Sequence, residues 1–181
     1  MRIIRGKLKS RRIGVPKSFP SRPTTDFAKE GLFNIIEHQS ELENGVVLDL
    51  CSGTGNIAFE FISRGAKNVT CVDNNFFCIK HIRQAASQFD VDNQIAVVKD
   101  DIISHLQKNV NKYDIIFCDP PYDLDIHKQV HQLIFEKKLL NTEGFLIIEH
   151  GKKTNLQLLD FFKFERTFGN VIFSFFKIEN D

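Results

Sequence analysis

Val46-Val47-Leu48-Asp49-Leu50-Cys51-Ser52-Gly53-Thr54-Gly55-Asn56 is the stretch on which the fold turns. Its first five residues are an apolar run interrupted by one carboxylate, which reads as a strand. Two glycines follow at once, and the chain then enters an amphipathic stretch, Asn56 to Arg64, of helical spacing. Strand, glycine turn and helix in that order open an open α/β sheet, whose ligands lie beyond the carboxyl ends of the strands. Gly53 and Gly55 let the backbone turn tightly and come close to a ligand, and Ser52 adds a hydroxyl in the same turn.

Outward from this turn, short apolar runs alternate with longer amphipathic ones, the pattern of a parallel sheet flanked by helices. Strands are predicted at Val46 to Leu50, Val69 to Asp73, Ile95 to Val98, Tyr113 to Cys118 and Phe145 to Glu149. Helices are predicted near Asn56 to Arg64, Asn75 to Phe89, Ile102 to Asn109 and Ile126 to Leu140. Towards the end, Phe164 to Phe168 and Val171 to Ile178 are strand-like and joined by Gly169-Asn170, which predicts an antiparallel hairpin. Upstream, Ala28, Leu32, Ile35 and Ile36 have helical spacing behind the candidate caps Thr24, Thr25 and Asp26. The 181 residues, 42% hydrophobic and 26% charged, suit one globular domain with a sizeable core. Residues 24–181 are expected to form that domain, behind a distinct extension at 1–23.

The extension is basic. Residues 1–30 carry Arg2, Arg5, Lys7, Lys9, Arg11, Arg12, Lys17, Arg22 and Lys29 against Asp26 and Glu30, a local charge of +7 in a chain whose net charge is +1. No amphipathic apolar face accompanies the charge, which favours a nucleic acid over a membrane as partner. No apolar run approaches a membrane span and no signal peptide is evident, so a cytoplasmic protein is expected. Cys51, Cys71, Cys78 and Cys118 form no CxxC pair and are read as reduced, with no disulfide and no metal site. His127 and His131 are spaced i, i+4 but lack a third ligand.

The glycine turn alone leaves two cofactor classes open, because Gly53-x-Gly55-x-x-Ala58 also satisfies the dinucleotide fingerprint. Asp49, four residues before Gly53, could accept from an ammonium and would repel a pyrophosphate. Asp73 ends the second strand, where a carboxylate can take both hydroxyls of a ribose, a device common to both classes. Asp101 follows the third strand and could accept from an adenine amino group. The fourth strand runs into Asp119-Pro120-Pro121-Tyr122 at the same sheet edge. The prolines fix φ and bias the residues before them away from helix, so the Asp119 carboxylate and the Pro120 carbonyl form a rigid acceptor pair. Such a pair suits an exocyclic amino group, whose lone pair it would turn out of conjugation, and Tyr122 offers a face for the base. Glu149-His150, ending the fifth strand, lies at the active edge and could help position the reactants.

With these residues in order, the chain resembles the Rossmann-like S-adenosylmethionine-dependent methyltransferases of class I, in the branch that methylates amino nitrogens. Arg2-Ile3-Ile4-Arg5-Gly6, Arg22-Pro23-Thr24-Thr25-Asp26 and Glu30-Gly31-Leu32-Phe33-Asn34 resemble one family within it, the bacterial 16S ribosomal RNA methyltransferase D family. The resemblance spans nearly the whole chain. It implies a seven-stranded, mostly parallel sheet with a C-terminal antiparallel hairpin, and methylation of a guanine 2-amino group in small-subunit ribosomal RNA. S-adenosylmethionine would be held by Thr24, Thr25, Asp49, Ser52, Gly53, Gly55, Asp73, Asn74 and Asp101. Asp119, Pro120, Pro121 and Tyr122 would be catalytic, and Arg2, Arg5, Lys7, Lys9, Arg11, Arg12 and Arg22 would face RNA. The expected partner is ribosomal RNA or the small-subunit particle, engaged by a monomer without metal. The rival classes are an amino-methyltransferase of another RNA, DNA adenine or protein, and a nonenzymatic RNA-binding module. No target-recognition domain of the kind DNA enzymes use fits in this length.

Overall fold

The computed structural model describes residues 1–14, 24–39, 42–121 and 125–178. Seven strands, β1 (Val46–Leu50), β2 (Asn68–Asp73), β3 (Ile95–Lys99), β4 (Tyr113–Cys118), β5 (Leu140–His150), β6 (Phe162–Phe168) and β7 (Val171–Phe176), form one sheet in the order β3-β2-β1-β4-β5-β7-β6. The first five strands are parallel and β7 runs antiparallel between β5 and β6. This is the seven-stranded sheet with a terminal hairpin expected above. Its helices are α1 (Asp26–Gln39), α2 (Asn56–Ser63), α3 (Phe76–Gln88), α4 (Ile102–Lys108) and α5 (His127–Glu136). Among the described residues, no helix is long and apolar enough to cross a membrane.

Alternate strand residues enter two cores, as the period of two along a strand requires. Val47, Val69, Cys71, Ile115, Phe117 and Ile147 pack with α1, α2 and α3, while Leu48, Leu50, Val72, Ile116, Cys118 and Ile148 pack with α4 and α5. Covering both faces is what makes the central strands continuous apolar runs in the sequence.

Most element boundaries shift by one or two residues from the sequence reading, and two shift further. The helix expected to reach Leu140 ends at Glu136, and Leu140 already pairs with Tyr113 on β4. The register then shifts between Tyr113 and Ile115. Gly144 fits the irregular stretch closely, since a Cβ there would lie 2.9 Å from the Tyr113 carbonyl oxygen and 3.0 Å from that of Asp114. Strand β5 is therefore eleven residues long, and its irregular beginning hid it from a period-based reading. In α1, Phe33 is buried and Ile35 only half-buried, so the inward stripe is Ala28, Lys29, Leu32, Phe33 and Ile36.

The first fourteen residues are part of the same core. They form a hairpin in which Arg2 bridges Arg12, and Ile13 N–H donates to the Met1 carbonyl at 3.0 Å. Ile3, Leu8 and Ile13 are buried in the cluster of α1, α2 and α3. Glu60 on α2 accepts from the backbone amides of Ile4 at 2.9 Å and Arg5 at 3.1 Å. Gly6 turns at φ +84° against the end of α2, where a Cβ would lie 1.7 Å from the Ser63 carbonyl oxygen. The hairpin thus docks on α2 through backbone groups as well as apolar side chains. The boundary expected between residues 23 and 24 falls at the edge of 15–23, outside the described residues.

A buried ion cluster underlies this docking. Lys29 and Glu60 are fully buried and 3.2 Å apart, and Arg64 donates to Glu60 at 2.9 Å. Lys29 Nζ also donates to the Arg2 carbonyl and to Asn56 Oδ1, each at 2.7 Å, so its three protons are all used. Burial lowers the Lys29 pKa, with Glu60 opposing that shift. Lys29, counted in the basic segment, belongs to the interior and is no part of an outward-facing basic surface.

Candidate active site

The sheet reverses its order of growth between β1 and β4, and a cleft of about 470 Å³ opens beyond the carboxyl ends of the strands there. Its volume lies within the range of about 300–1,000 Å³ for small-molecule sites. The turn after β1 supplies one wall. Cys51 and Gly53 adopt φ of +61° and +52°, and Gly55 caps α2 at φ +76°. A side chain on Gly55 would meet the Phe59 ring at 2.8 Å and Ile82 at 3.1 Å. Gly55 is therefore required for the turn and for helix packing. It does not line the cleft, although the sequence places it among the ligand-binding residues.

Asp73 at the tip of β2 is buried and holds the glycine turn from below. Its two carboxylate oxygens accept from Gly53 N–H and Asn75 N–H, each at 2.8 Å. The Cys78 thiol also hydrogen-bonds Asp73, which still leaves acceptor capacity for a ligand, and the carboxylate lines the cleft. Asp49, near the end of β1, is 1% exposed, and its Oδ2 has no hydrogen-bond partner among the described residues. Burial, helped by the nearby Asp73 charge, pushes its pKa up to about 8. Ser52, Gly53 and Asn74 also line the cleft. Asp101 does so too, while its Oδ1 accepts from Ser104 N–H at 3.0 Å and so caps α4.

The end of β4 supplies the opposite wall. Asp119 N–H donates to the Leu50 carbonyl at 3.2 Å, which fixes the strand tip beside β1. Asp119, Pro120 and Pro121 line the cleft; Tyr122 lies outside the described residues. Asp119 is half-buried by surface area because one side meets the open cleft. Its carboxyl is nevertheless desolvated, and burial together with the Glu149 and Asp49 charges holds its pKa well above the carboxylate range. Thr24 also lines the cleft and donates to Glu149 Oε2 at 3.3 Å, while Asn56 Nδ2 donates to the Thr24 carbonyl at 3.0 Å. Thr25 is exposed; its hydroxyl accepts from Ala28 N–H at 3.2 Å and caps α1. Asp100, Asn56, Cys78 and Ile57 also line the cleft and escaped the sequence reading. Asp100 stood beside Asp101, but nothing in the residue pattern marks the others.

The charge of the cleft selects its ligand. Asp49, Asp73, Asp100, Asp101, Asp119 and Glu149 line it, and among the described residues no Lys or Arg does. A cationic ligand gains from this field, and the two anionic phosphates of a dinucleotide would be repelled, which argues against the dinucleotide alternative. The unpartnered Asp49 oxygen becomes an acceptor for a ligand ammonium once the carboxyl is ionised.

The candidate RNA-facing residues Arg2, Arg5, Lys7, Lys9, Arg11 and Arg12 are all exposed, and Arg22 lies outside the described residues. They do not form one patch. Thr54 donates to Met1 Sδ at 3.0 Å, so the open end of the hairpin, with Arg2 and Arg12, sits at the cleft rim. The turn end lies at the far end of α2, where Lys7 N–H donates to the Ser63 carbonyl and Lys7 Nζ reaches Gln94. Arg11 lies over the Phe89 ring at 5.5 Å and Arg5 pairs with Glu37 at 2.9 Å.

The architecture and sequence both have known counterparts. Residues 1–177 match the protein family described as Conserved hypothetical protein 95. The ribosomal RNA small subunit methyltransferase D of Buchnera aphidicola (subspecies Baizongia pistaciae) is 31% identical over 155 residues, covering 86% of this chain and 78% of that protein. The protein of the same name from Haemophilus influenzae is 30% identical, covering 84% of this chain and 79% of its own length. Among solved structures, the Escherichia coli yhhF protein superposes with a TM-score of 0.87 at 23% identity, covering 99% of this chain and 98% of that one. The sheet order, the cleft at its carboxyl edge and these similarities agree: the chain belongs to the Conserved hypothetical protein 95 family, that of the ribosomal RNA small subunit methyltransferase D proteins.

Proposed function

We propose that this protein transfers a methyl group from S-adenosylmethionine to the 2-amino group of a guanine in small-subunit ribosomal RNA. The observation that carries this reading is the cleft between β1 and β4, lined by Asp49 and Asp73 on one wall and by Asp119 and Pro120 on the other. Family membership and the names of the relatives support RNA as substrate, and the choice of guanine rests on the family resemblance.

The residues present fit the donor. Asp49 Oδ2, which has no partner among the described residues, would accept from its ammonium, directly or through one water, and Asp73 would take the ribose hydroxyls. Asp101 and Asn74 line the same cleft and would take the adenine edge. When bound, the donor supplies a methyl group made electrophilic by a sulfonium. The chain then contributes mainly by positioning. The Asp119 carboxylate and Pro120 carbonyl each accept one hydrogen of the target amino group, aiming its lone pair into the cleft. Tyr122 gives the base a stacking face, worth about 1–3 kcal/mol. The target guanine must leave its stack to reach these groups, which favours an unpaired loop or an accessible helix end over a continuous duplex. The protein acts as a monomer in the cytoplasm on ribosomal RNA or the assembled small-subunit particle.

Incubation with methyl-labelled S-adenosylmethionine and separate RNA, DNA and protein pools tests the class: label is expected in RNA. Mass spectrometry of ribosomal RNA from a deletion strain should lack one small-subunit 2-methylguanosine, restored by the intact gene but not by Asp119→Ala. Complete methylation in the deletion strain would reject the assignment.

A further inference from the structure

Strand β5 ends in a second carboxylate at the acceptor wall. In the parallel register of β4 and β5, Phe117 faces Ile147 and Cys118 faces Ile148. Continued by one residue, that register sets Asp119 beside Glu149, on strands about 4.8 Å apart. Both residues line the same cleft, and Glu149 is 4% exposed. Glu149 is held from outside by the Thr24 hydroxyl at 3.3 Å. Thr24 is in turn held through its carbonyl by Asn56, whose Oδ1 accepts from buried Lys29. A buried carboxylate fixed by such a chain, next to the residue proposed to receive the substrate amino group, has more than a packing role.

We propose that Glu149 is a positioning residue that tunes Asp119 as the acceptor of the proton released on methylation. The inference rests on the functional reading above. As the new N–CH₃ bond forms, the donor's S–CH₃ bond breaks, and the positive charge passes from sulfur to the amino nitrogen. That nitrogen then carries one proton too many. The proton moves along the existing hydrogen bond to an Asp119 oxygen, leaving a neutral methylamino group, and passes later to solvent. An isolated aspartate is a weak acceptor for it. Burial raises the affinity of Asp119 for a proton, and the adjacent Glu149 charge raises it further, in line with the direction of its pKa shift.

Among the described residues, the other groups acting on Asp119 are the Asp49 carboxyl on β1 and the thiols of Cys51 and Cys118, and Asp73 on β2 lines the same cleft. Next to Glu149 on β5, His150 is engaged with Ser174 at 2.8 Å and the Gly151 carbonyl at 3.1 Å. No Lys or Arg is among the described residues that line the cleft. The same effect has a cost on the acid side, because a protonated Asp119 cannot accept both hydrogen and proton. Turnover should therefore fall as pH drops through the raised Asp119 pKa.

The test is the pH profile of kcat, measured with labelled S-adenosylmethionine and small-subunit RNA at saturation. Glu149→Gln keeps the shape and removes the charge; its acid limb should move to lower pH by about one unit, with a lower plateau. Glu149→Asp keeps the charge and should leave the limb near the wild-type position. A carboxyl ¹³C titration of Asp119 in the wild-type protein gives the same information without a variant, and should show a raised midpoint. Superimposable Glu149→Gln and wild-type profiles, or an Asp119 midpoint near 4, would overturn the proposal. Retained turnover in Asp119→Ala would instead overturn the reading of the acceptor wall itself.

Discussion

Asp49 makes cofactor binding a proton-linked event. Its carboxyl is buried, one oxygen has no partner among the described residues, and its pKa is pushed up to about 8. In the free protein at pH 7 only about one Asp49 in eleven is ionised, and at pH 6 about one in a hundred. A ligand ammonium needs the ionised form. If Asp49 stays ionised in the complex, affinity rises about ninefold between pH 6 and pH 7, or ~1.3 kcal/mol. This interval lies below the range where the ligand's own amino group loses charge. Binding at pH 7 should release about 0.9 proton, read by titration calorimetry in two buffers of different ionisation enthalpy. Asp49→Asn should bind more weakly, with no proton release and a flat pH dependence. Stability moves the opposite way. The folded pKa lies above the unfolded value, so the native state holds a proton that the unfolded chain has lost. Stability is then fully present below about pH 4 and declines as pH rises towards 8. Asp49→Asn should escape that decline, gaining ~2.7 kcal/mol relative to wild type between pH 5 and pH 7, or roughly 5–10 °C in Tm. Wild-type binding that releases no proton and is constant from pH 6 to 7 would refute the role given to Asp49.

Three further outcomes follow from other parts of the molecule. Asp73→Ala should weaken S-adenosylmethionine binding by about 1.5–3 kcal/mol in calorimetry, since it removes the ribose acceptor and frees the Gly53 and Asn75 amides. Gly6→Ala places a methyl group 1.7 Å from the Ser63 carbonyl and should lower the Tm by several degrees in scanning calorimetry, because the hairpin must lift from α2. Replacing Arg2 and Arg12 together by Ala should reduce the slope of log affinity for RNA against log salt by about 1.4–1.8. The pair Lys7 and Lys9, at the far end of the hairpin, should reduce it less; equal effects would show that the cleft rim is not the RNA-facing end.

The architecture was legible because its signals are local. The strand and glycine turn at 46–56, and Gly169-Asn170 between two aromatic runs, declare a Rossmann-like sheet with a terminal hairpin by short-range rules. Residues at strand tips were legible for the same reason: Asp49, Asp73 and Asp119 all end or nearly end an apolar run, and the structure brings them to one cleft. Residue type alone hides roles that are decided by packing and helix capping. Gly55 looks like a ligand-binding glycine, yet Phe59 and Ile82 explain it. Thr25 looks like its neighbour Thr24, yet the start of α1 turns the two hydroxyls to different partners. Read alone, Asp119-Pro120-Pro121-Tyr122 predicts turnover flat with pH near neutrality. Burial in the cleft, with Glu149 thirty residues away, gives that profile an acid limb.

Lys29 shows how charge in a sequence can mislead and still lead to the function. It sits in a run of basic residues that reads as an electrostatic arm, but α1 turns it inward to a glutamate on α2. A buried pair of this kind is weak as a source of stability, because desolvation offsets most of the Coulomb attraction. Its value lies in geometry, since a buried charge tolerates few arrangements. Nζ grips three acceptors: Arg2 O in the hairpin, Glu60 on α2 and Asn56 at the start of that helix. Asn56 then fixes Thr24, and Thr24 fixes Glu149. The hairpin that presents Arg2 and Arg12 is thereby held in one register with the rim of the cleft. A hydrophobic residue at position 29 could fill the same space, but it would have no means of setting the hairpin, the glycine-turn helix and the acceptor wall at fixed distances from one another. In an enzyme that must bring a nucleotide held by one element to a methyl group held by another, that alignment is what the interior charge provides.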